Sequence, residues 1–270
     1  MRVGYISDLH VKRNYTKVAD AIIDQAIESE LNYLIVNGGI SSDYVVTENC
    51  MNYMGKALQS HNIVLRFTTG NTDYYAPHQS IVDKTHNFNT IDSYYKANPY
   101  YLVTHPIITQ SLWIIGASTW YDYSLYRGNP ISLSKVTKKS KWFISANQDT
   151  TYITDKDDYK VGLANTFDKK RTQYCVNELR DTLDKYIGKI ARPEHCIVCG
   201  YFYPHRVYIT DGILAGYFAC FKGSTHISDV LHNRGVTEYV AGLTSKHFSS
   251  KTIDNILYSN STHTLTIKDY

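Results

Sequence analysis

The chain has 270 residues, of which 43% are hydrophobic and 20% are charged, a balance typical of a globular protein with a sizeable core. Its formal net charge of +3, with no basic stripe, gives no indication of nucleic-acid binding. No apolar run approaches the roughly 18 to 20 residues of a membrane span, and no signal peptide is visible at the N-terminus, so we expect a cytoplasmic protein.

The first third of the chain alternates short apolar segments with amphipathic ones. Apolar periodicity predicts strands at residues 2–6, 33–36 and 63–67, separated by helices at residues 16–30 and 44–60. This is the βαβ pattern, in which the strands run parallel and the loops that follow them meet at one edge of the sheet. We therefore expect the loops after these three strands to lie together.

The rest of the chain is less regular. Residues 76–110 mix polar and aromatic segments, and residues 125–170 form a polar excursion with a helical pattern at residues 141–147. The further predicted elements are, in chain order, strand 112–116, helix 172–187, strand 195–199, helix 228–233, strand 236–241 and short β segments near 253–258 and 264–267. No repeat or low-complexity linker marks a boundary, so we predict a single domain over residues 1–270.

The cysteines do not indicate a disulfide framework, because they are odd in number and scattered along the chain. They occupy positions 50, 175, 196, 199 and 220. Cys196 and Cys199 match the C-x-x-C spacing of zinc and redox sites, but they lie in a predicted strand, where residues three apart face opposite sides. Two buried thiols are therefore the better interpretation.

The first predicted strand ends in Ser-Asp-Leu-His, which places Asp8 and His10 two positions apart. In an extended segment both side chains point the same way. A carboxylate and an imidazole on one side of a strand end are suitable ligands for one divalent metal ion. The alternative is a solvated loop in which Asp8 and His10 only cap and brace the backbone.

The order of the motifs along the chain resembles that of the calcineurin-like metallophosphoesterases. Within that superfamily, the chain looks most like a bacterial subfamily associated with the accessory secretion systems of Gram-positive bacteria. The stretches that support the resemblance are Gly4-Tyr-Ile-Ser-Asp-Leu-His10, Trp120-Tyr-Asp-Tyr-Ser124, Tyr203-Pro-His205 and Lys222-Gly-Ser224. The resemblance implies an α/β fold, a four-layered sandwich of two mixed β-sheets flanked by helices, with the motif loops at one end of the sheets.

The resemblance also implies which residues would form the active site. The family's enzymes use two metal ions, bridged by an aspartate and by a hydroxide that attacks phosphorus. Asp8 and His10 keep the first motif, Asn71 is kept as a ligand of the second metal, and Thr72 replaces the catalytic histidine. The other four ligand positions carry a different residue type, and they are Gly39, Gly200, Leu243 and Ser245.

These replacements argue against a two-metal centre. Two divalent ions about 3.5 Å apart repel by on the order of 20 kcal/mol at an effective dielectric of about 20, and the bridging carboxylate and hydroxide normally offset that repulsion. We therefore expect no cofactor or, in the alternative, a single divalent ion of manganese, iron or zinc at the remnant ligands Asp8, His10 and Asn71. The side chains that could line a pocket or rebuild a site are Asp43, Asp73, His78, Asp122, His205 and His247.

Two functions fit this pattern, and a third rests on the subfamily resemblance alone. The first is an inactive, degenerate metallophosphoesterase that binds a partner protein or a phosphate-bearing ligand in the old cleft. The second is an active metal-dependent phosphoesterase with a mononuclear or rebuilt site, which substitution of Asp8 would inactivate. The third is a structural subunit of a secretion or cell-surface glycosylation pathway.

Overall fold

The computed structural model describes residues 1–75, 88–125, 164–209, 222–243 and 248–270. The helices of the described residues are α1 (Thr16–Glu28), α2 (Tyr44–Gln59), α3 (Phe88–Ala97), α4 (Ala164–Ile187) and α5 (Thr225–His232). The strands are β1 (Arg2–Ile6), β2 (Tyr33–Asn37), β3 (Val64–Thr68), β4 (Ile107–Ile108), β5 (Leu112–Gly116), β6 (His195–Gly200), β7 (Glu238–Ala241), β8 (Ser250–Ile253), β9 (Ile256–Asn260) and β10 (Thr266–Asp269). Short 3-10 helices follow β3 and β6, at Thr72–Tyr74 and Arg206–Tyr208.

The strands form two mixed sheets. The first has the order β10-β1-β2-β3, and the second has the order β4-β5-β6-β7-β9-β8. In the first sheet β1, β2 and β3 are parallel, with Tyr33 paired to both Val3 and Val64, and β10 runs antiparallel to β1. In the second sheet β5, β6, β7 and β9 are parallel, and the antiparallel strands β4 and β8 form its edges. Parallel strands within a sheet end on the same side, which brings their following loops together.

The hydrophobic core has three layers. The two sheets pack face to face in the central layer, which contains Tyr5 of β1, Ile197 of β6 and Val240 of β7. Helices α1 and α2 cover the outer face of the first sheet, with Ile22 in that layer. Helices α4 and α5 cover the outer face of the second sheet, with Leu183 in that layer. The predicted four-layered sandwich of two mixed sheets between helices is therefore confirmed.

Periodicity located most of the described elements to within a few residues. Strands β1 and β5 begin and end where they were predicted. Helix α4 begins at Ala164 rather than at residue 172, and α3 and β4 were not predicted. The single β segment predicted near 253–258 is instead part of a hairpin of β8 and β9. Its turn places Asp254 and Asn255 at φ 48° and 64°, the left-handed backbone that two-residue hairpin loops use.

The described cysteines, Cys50 and Cys175 among them, are buried and form no disulfide. Cys196 packs between the second sheet and its helices, whereas Cys199 packs between the two sheets. The two side chains therefore lie on opposite faces of β6. Burial raises the pKa of the Cys196 thiol to about 12. The prediction of two buried thiols, rather than a shared metal or redox site, is confirmed.

Some predictions fall outside the described residues. They concern Cys220, the helical pattern at residues 141–147 and most of the polar excursion at residues 125–170. The single domain over residues 1–270 stays a prediction. Within the described ranges, no helix is both long and apolar enough to cross a membrane.

Candidate functional site

The loops that follow the parallel strands meet at one edge of the sandwich. The backbone N–H of Asp8, after β1, donates to the carbonyl of Gly38, after β2, at 3.0 Å. In the second sheet, the N–H of Gly242, after β7, donates to the carbonyl of Gly200, at the end of β6, at 3.0 Å. The expected meeting of the motif loops is therefore confirmed. We call these loops the loop cluster, which comprises residues 7–11, 38–41, 69–75, 201–203 and 242–243.

Asn37, the last residue of β2, joins the two sheets beneath the loop cluster. Its side-chain amide donates to the carbonyls of Gly200 at 3.3 Å and Val240 at 2.8 Å, both in the second sheet. Its amide oxygen accepts from the hydroxyl of Thr68, at the end of β3, at 2.6 Å. All of these groups are buried, where an unmade hydrogen bond is costly. Asn37 was not among the predicted site residues, because a lone asparagine at a strand end has no distinctive pattern.

Asp73 holds the loop after β2 against the loop after β3. Its side chain is fully buried and accepts five hydrogen bonds of 2.8–3.1 Å. The donors are the N–H groups of Gly39, Ile40, Ser41 and Gly70 and the hydroxyl of Thr47. Burial raises the pKa of Asp73 to about 6, and the hydrogen bonds oppose that shift. The contacts of this carboxylate are thus with four backbone N–H groups and one hydroxyl of the protein itself.

Asp8 and His10 lie side by side, but their backbone is not the extended one that the sequence suggested. Strand β1 ends at Ile6, and Asp8 and His10 have left-handed φ angles of 52° and 46°. The Nε2 atom of His10 is 3.8 Å from Oδ1 of Asp8. The side chain of Asp8 is 13% exposed and that of His10 is 60% exposed. The pair therefore lies where the loop cluster reaches solvent.

The ring of Tyr201, the first residue after β6, fills the space between these loops. Tyr201 is 3% exposed, and its hydroxyl donates to Oδ1 of Asp8 at 2.7 Å. Burial, and then the charge of Asp8, raises the pKa of Tyr201 well above its ordinary value, so the phenol stays protonated as a donor. The ring lies against the backbone of the glycines that follow β2, β3 and β7, namely Gly38, Gly39, Gly70 and Gly242.

Sequence reasoning missed Tyr201 altogether. A tyrosine after a strand is unremarkable among the 25 tyrosines of this chain. The available signal was a glycine among the first two residues of each of the loops after β2, β3 and β7, because several glycines at strand ends indicate a close approach of backbone to a bulky group.

Two of the positions at which the resemblance implies a metal ligand have no room for a side chain. Gly39, where the resemblance implies the bridging aspartate, has φ +67°, and a Cβ there would lie 2.4 Å from Oδ1 of Asp8. A Cβ at Gly200 would lie 2.4 Å from the hydroxyl of Tyr239 and 2.7 Å from the methyl group of Thr119. These distances are well below van der Waals contact. The residues present here therefore do not fit the family's two-metal centre.

The structure describes two further ligand positions that the resemblance implies, Asn71 and Leu243. Asn71 is half-buried and precedes the 3-10 helix that Thr72 begins. Leu243 packs against the cores of both sheets, and its N–H donates to the carbonyl of Tyr201 at 2.7 Å. Three further candidate residues, His78, Ser245 and His247, lie outside the described residues.

The three later stretches that carry the subfamily resemblance also come together. Oδ2 of Asp122 accepts from the hydroxyl of Ser224 at 2.8 Å, and its Oδ1 accepts from the N–H of Ser124 at 3.0 Å. The N–H of Tyr203 donates to the carbonyl of Lys222 at 2.7 Å. Asp122, a predicted pocket residue, thus braces one stretch against another.

Two further candidate residues cap helices, His205 a 3-10 helix and Asp43 helix α2. The Nδ1 atom of His205 accepts from the N–H of Val207 at 3.0 Å. Burial lowers the pKa of His205, which favours the neutral ring that this hydrogen bond requires. Asp43 accepts from the N–H of Val45 at 3.0 Å and so caps the start of α2.

The described part of the chain contains no group of three or more histidine, cysteine, aspartate or glutamate side chains that could hold a metal ion. Asp8 and His10 supply two ligands, one fewer than the three protein ligands of a typical catalytic zinc site.

No protein-family model and no curated protein sequence matches this chain. Among solved structures, a phosphopantetheinyl hydrolase from Mycobacterium tuberculosis is similar, with a TM-score of 0.67 at 13% identity over 96% of this chain and 88% of that chain. A dimetal phosphatase from Danio rerio has a TM-score of 0.52 at 12% identity over 96% of this chain and 86% of that chain. Both structures have calcineurin-like metallophosphoesterase folds. With two mixed sheets between helices and its motif loops gathered at one edge, this chain has the calcineurin-like metallophosphoesterase fold.

Proposed function

We propose that this chain is a degenerate metallophosphoesterase that lacks the dinuclear metal centre and acts by binding rather than by hydrolysis. The observation that carries the proposal is the loss of coordinating side chains and of the catalytic histidine in a metallophosphoesterase fold. The ligand positions concerned are Gly39, Gly200, Leu243 and Ser245, and Thr72 stands in place of the catalytic histidine. At Gly39 and Gly200, neighbouring atoms already occupy the volume that a ligand side chain would need.

The chemistry of the family's centre explains why these losses favour binding. Two metal ions activate the hydroxide and stabilise both the attacking and the leaving oxygen. Without the bridging carboxylate, nothing at position 39 offsets the repulsion of two such ions. The carboxylate of Asp73 is already engaged by the backbone, and that of Asp8 is held by Tyr201.

The proposed ligand is a partner protein or a phosphate-bearing molecule that contacts the exposed side of the loop cluster. The subfamily resemblance favours a bacterial, cytoplasmic protein whose partner belongs to a secretion or cell-surface glycosylation pathway. Retrieval of a component of that pathway by the tagged chain supports this assignment, and retrieval of none from cells that express the pathway counts against it.

The decisive experiment measures metal content and hydrolysis on the purified full chain. We expect elemental analysis and titration with manganese, iron and zinc to show no metal above background. We also expect turnover of bis(p-nitrophenyl) phosphate to equal that of the matched Asp8→Asn variant, because neither protein forms a metal centre. Near-stoichiometric metal, with turnover that a chelator and Asp8→Asn both abolish, would contradict the proposal.

That contrary outcome would establish the second candidate, a mononuclear phosphoesterase. The observation in its favour is the 3.8 Å separation of His10 Nε2 and Asp8 Oδ1, which leaves one carboxylate and one imidazole adjacent at the solvent side of the loop cluster. A metal ion there would have to compete with the hydroxyl of Tyr201 for Oδ1 of Asp8.

A further inference from the structure

Tyr201 lies where loops from both sheets converge. Its ring contacts residues that follow β2 and β3 of the first sheet and β7 of the second, and Tyr201 itself follows β6. Its hydroxyl reaches Asp8, after β1. One side chain thus touches the loops that carry ligands in the family's metal centre.

The glycines and the ring fit each other closely. A Cβ at Gly38 would lie 2.6 Å from a ring carbon of Tyr201, one at Gly70 would lie 2.7 Å away, and one at Gly242 would lie 2.9 Å away. Even an alanine at these positions would therefore collide with the ring. Because the ring is almost fully buried in this glycine cradle, its apolar surface stabilises the packing of three loops at once.

The hydroxyl of Tyr201 is a hydrogen-bond partner of Asp8. In the family, a metal ion binds the carboxylate of this motif, whereas here a neutral phenol donates a hydrogen bond of 2.7 Å to Oδ1. Hydrogen bonds to an ionised acceptor are about twice as strong as those between neutral groups. This hydrogen bond helps to hold the carboxylate of Asp8 in place.

We infer that the side chain of Tyr201 replaces the dinuclear metal centre as the structural link between the two sheets, and that the loop cluster is consequently assembled without metal. This role is independent of what the protein binds. It predicts that the melting temperature of the wild-type chain is unchanged by a chelator or by added manganese.

The test is chemical rescue of the full-length Tyr201→Gly variant. We expect its melting temperature to fall by about 10 °C, as for other deletions of a buried aromatic side chain. p-Cresol reproduces the deleted side chain, so it should bind the vacated cradle and raise the melting temperature of the variant by at least about 3 °C. Wild type, which has no vacated cradle, is the control and should show no rise.

Toluene separates the two functions of the side chain, because it has the ring and methyl group but no hydroxyl. We expect toluene to rescue Tyr201→Gly less than p-cresol does. In the double variant Tyr201→Gly, Asp8→Ala the two compounds should rescue equally, because the acceptor of the hydroxyl is gone. If Tyr201→Gly does not fold, Tyr201→Phe tests the hydroxyl instead. Tyr201→Phe should melt at a lower temperature than wild type, but the double variant Tyr201→Phe, Asp8→Ala should melt at the same temperature as Asp8→Ala alone.

Three results would overturn the inference. The first is a Tyr201→Gly variant that melts within about 2 °C of wild type. The second is a destabilised Tyr201→Gly variant that p-cresol does not rescue. The third is a wild-type chain purified with stoichiometric metal whose removal lowers its melting temperature. The first two results are melting temperatures alone, so they are distinct from the metal-content, hydrolysis and partner-binding assays that decide the proposed function.

Discussion

Replacement of Asp73 by asparagine tests whether this carboxylate holds the loop cluster together. Oδ1 accepts from two backbone N–H groups and a hydroxyl, and Oδ2 accepts from two further backbone N–H groups. Asparagine has one acceptor oxygen, so in either amide orientation two backbone N–H groups face its NH2 group. Each buried donor left unsatisfied costs roughly 1–3 kcal/mol. We therefore expect Asp73→Asn to lower the free energy of unfolding by about 4 kcal/mol.

The loss is best measured by urea unfolding at pH 7.5. Burial raises the pKa of Asp73 to about 6, so the wild-type carboxylate is ionised at that pH. Asp43→Asn is the matched control, because Asp43 accepts a single N–H at the start of α2 and asparagine caps helices about as well as aspartate does. The control should unfold within about 0.5 kcal/mol of wild type.

An Asp73→Asn variant that unfolds within about 1 kcal/mol of wild type would refute the reasoning. That result would mean that the backbone N–H groups of the two loops find other acceptors or water without loss, and that the loops do not depend on the carboxylate.

Three further substitutions test other contacts of the described residues. Asn37→Asp places a carboxylate against the two carbonyls to which the amide donates. We expect urea unfolding to show that the free energy of unfolding falls by about 3 kcal/mol or more. An unchanged urea midpoint would contradict the importance of this contact. Gly39→Ala combines φ +67° with a Cβ 2.4 Å from Asp8, so the variant should melt about 5 °C or more below wild type. A fall of less than about 2 °C would show that the loop adapts to the added methyl group. Burial lowers the pKa of His205 in the folded state below its ordinary value of 6.5. The stability that neutral His205 contributes is therefore present above pH 6.5 and is lost as the pH falls through the pKa of the folded state. His205→Asn keeps a capping acceptor but does not titrate, and it should lose less stability than wild type between pH 7.5 and pH 5 in thermal melts; equal losses would exclude His205 as the cause.

Local periodicity was sufficient to predict much of the scaffold. Strands β1 and β5 are short, mostly apolar segments, and both were located without error. Helix α3 was missed because its sequence is polar and aromatic, although Tyr95 on it is buried against the loop cluster. Its burial comes from tertiary packing, which overrides weak local preference.

The candidate site, too, could be predicted only in part from the sequence. Residue identity alone indicated that Gly39, Gly200 and Leu243 cannot coordinate metal as the family's residues do. The adjacency of Asp8 and His10 was also predicted, but from an extended backbone that neither residue adopts. The sequence could not predict that Asp73 would be enclosed by backbone donors, because those donors have no side-chain pattern.

The sequence by itself therefore determined most of the strands and helices, since these depend on residue type and local spacing, and the loss of the family's ligands stays a prediction from residue identity. Only the tertiary structure decided which side chain lies between the loops that follow the strands. Tyr201 and the carboxylate of Asp8 are 193 residues apart in the chain and 2.7 Å apart in space. That contact exists because two sheets pack face to face with their strand ends on the same side, and no local pattern records how two separate sheets align.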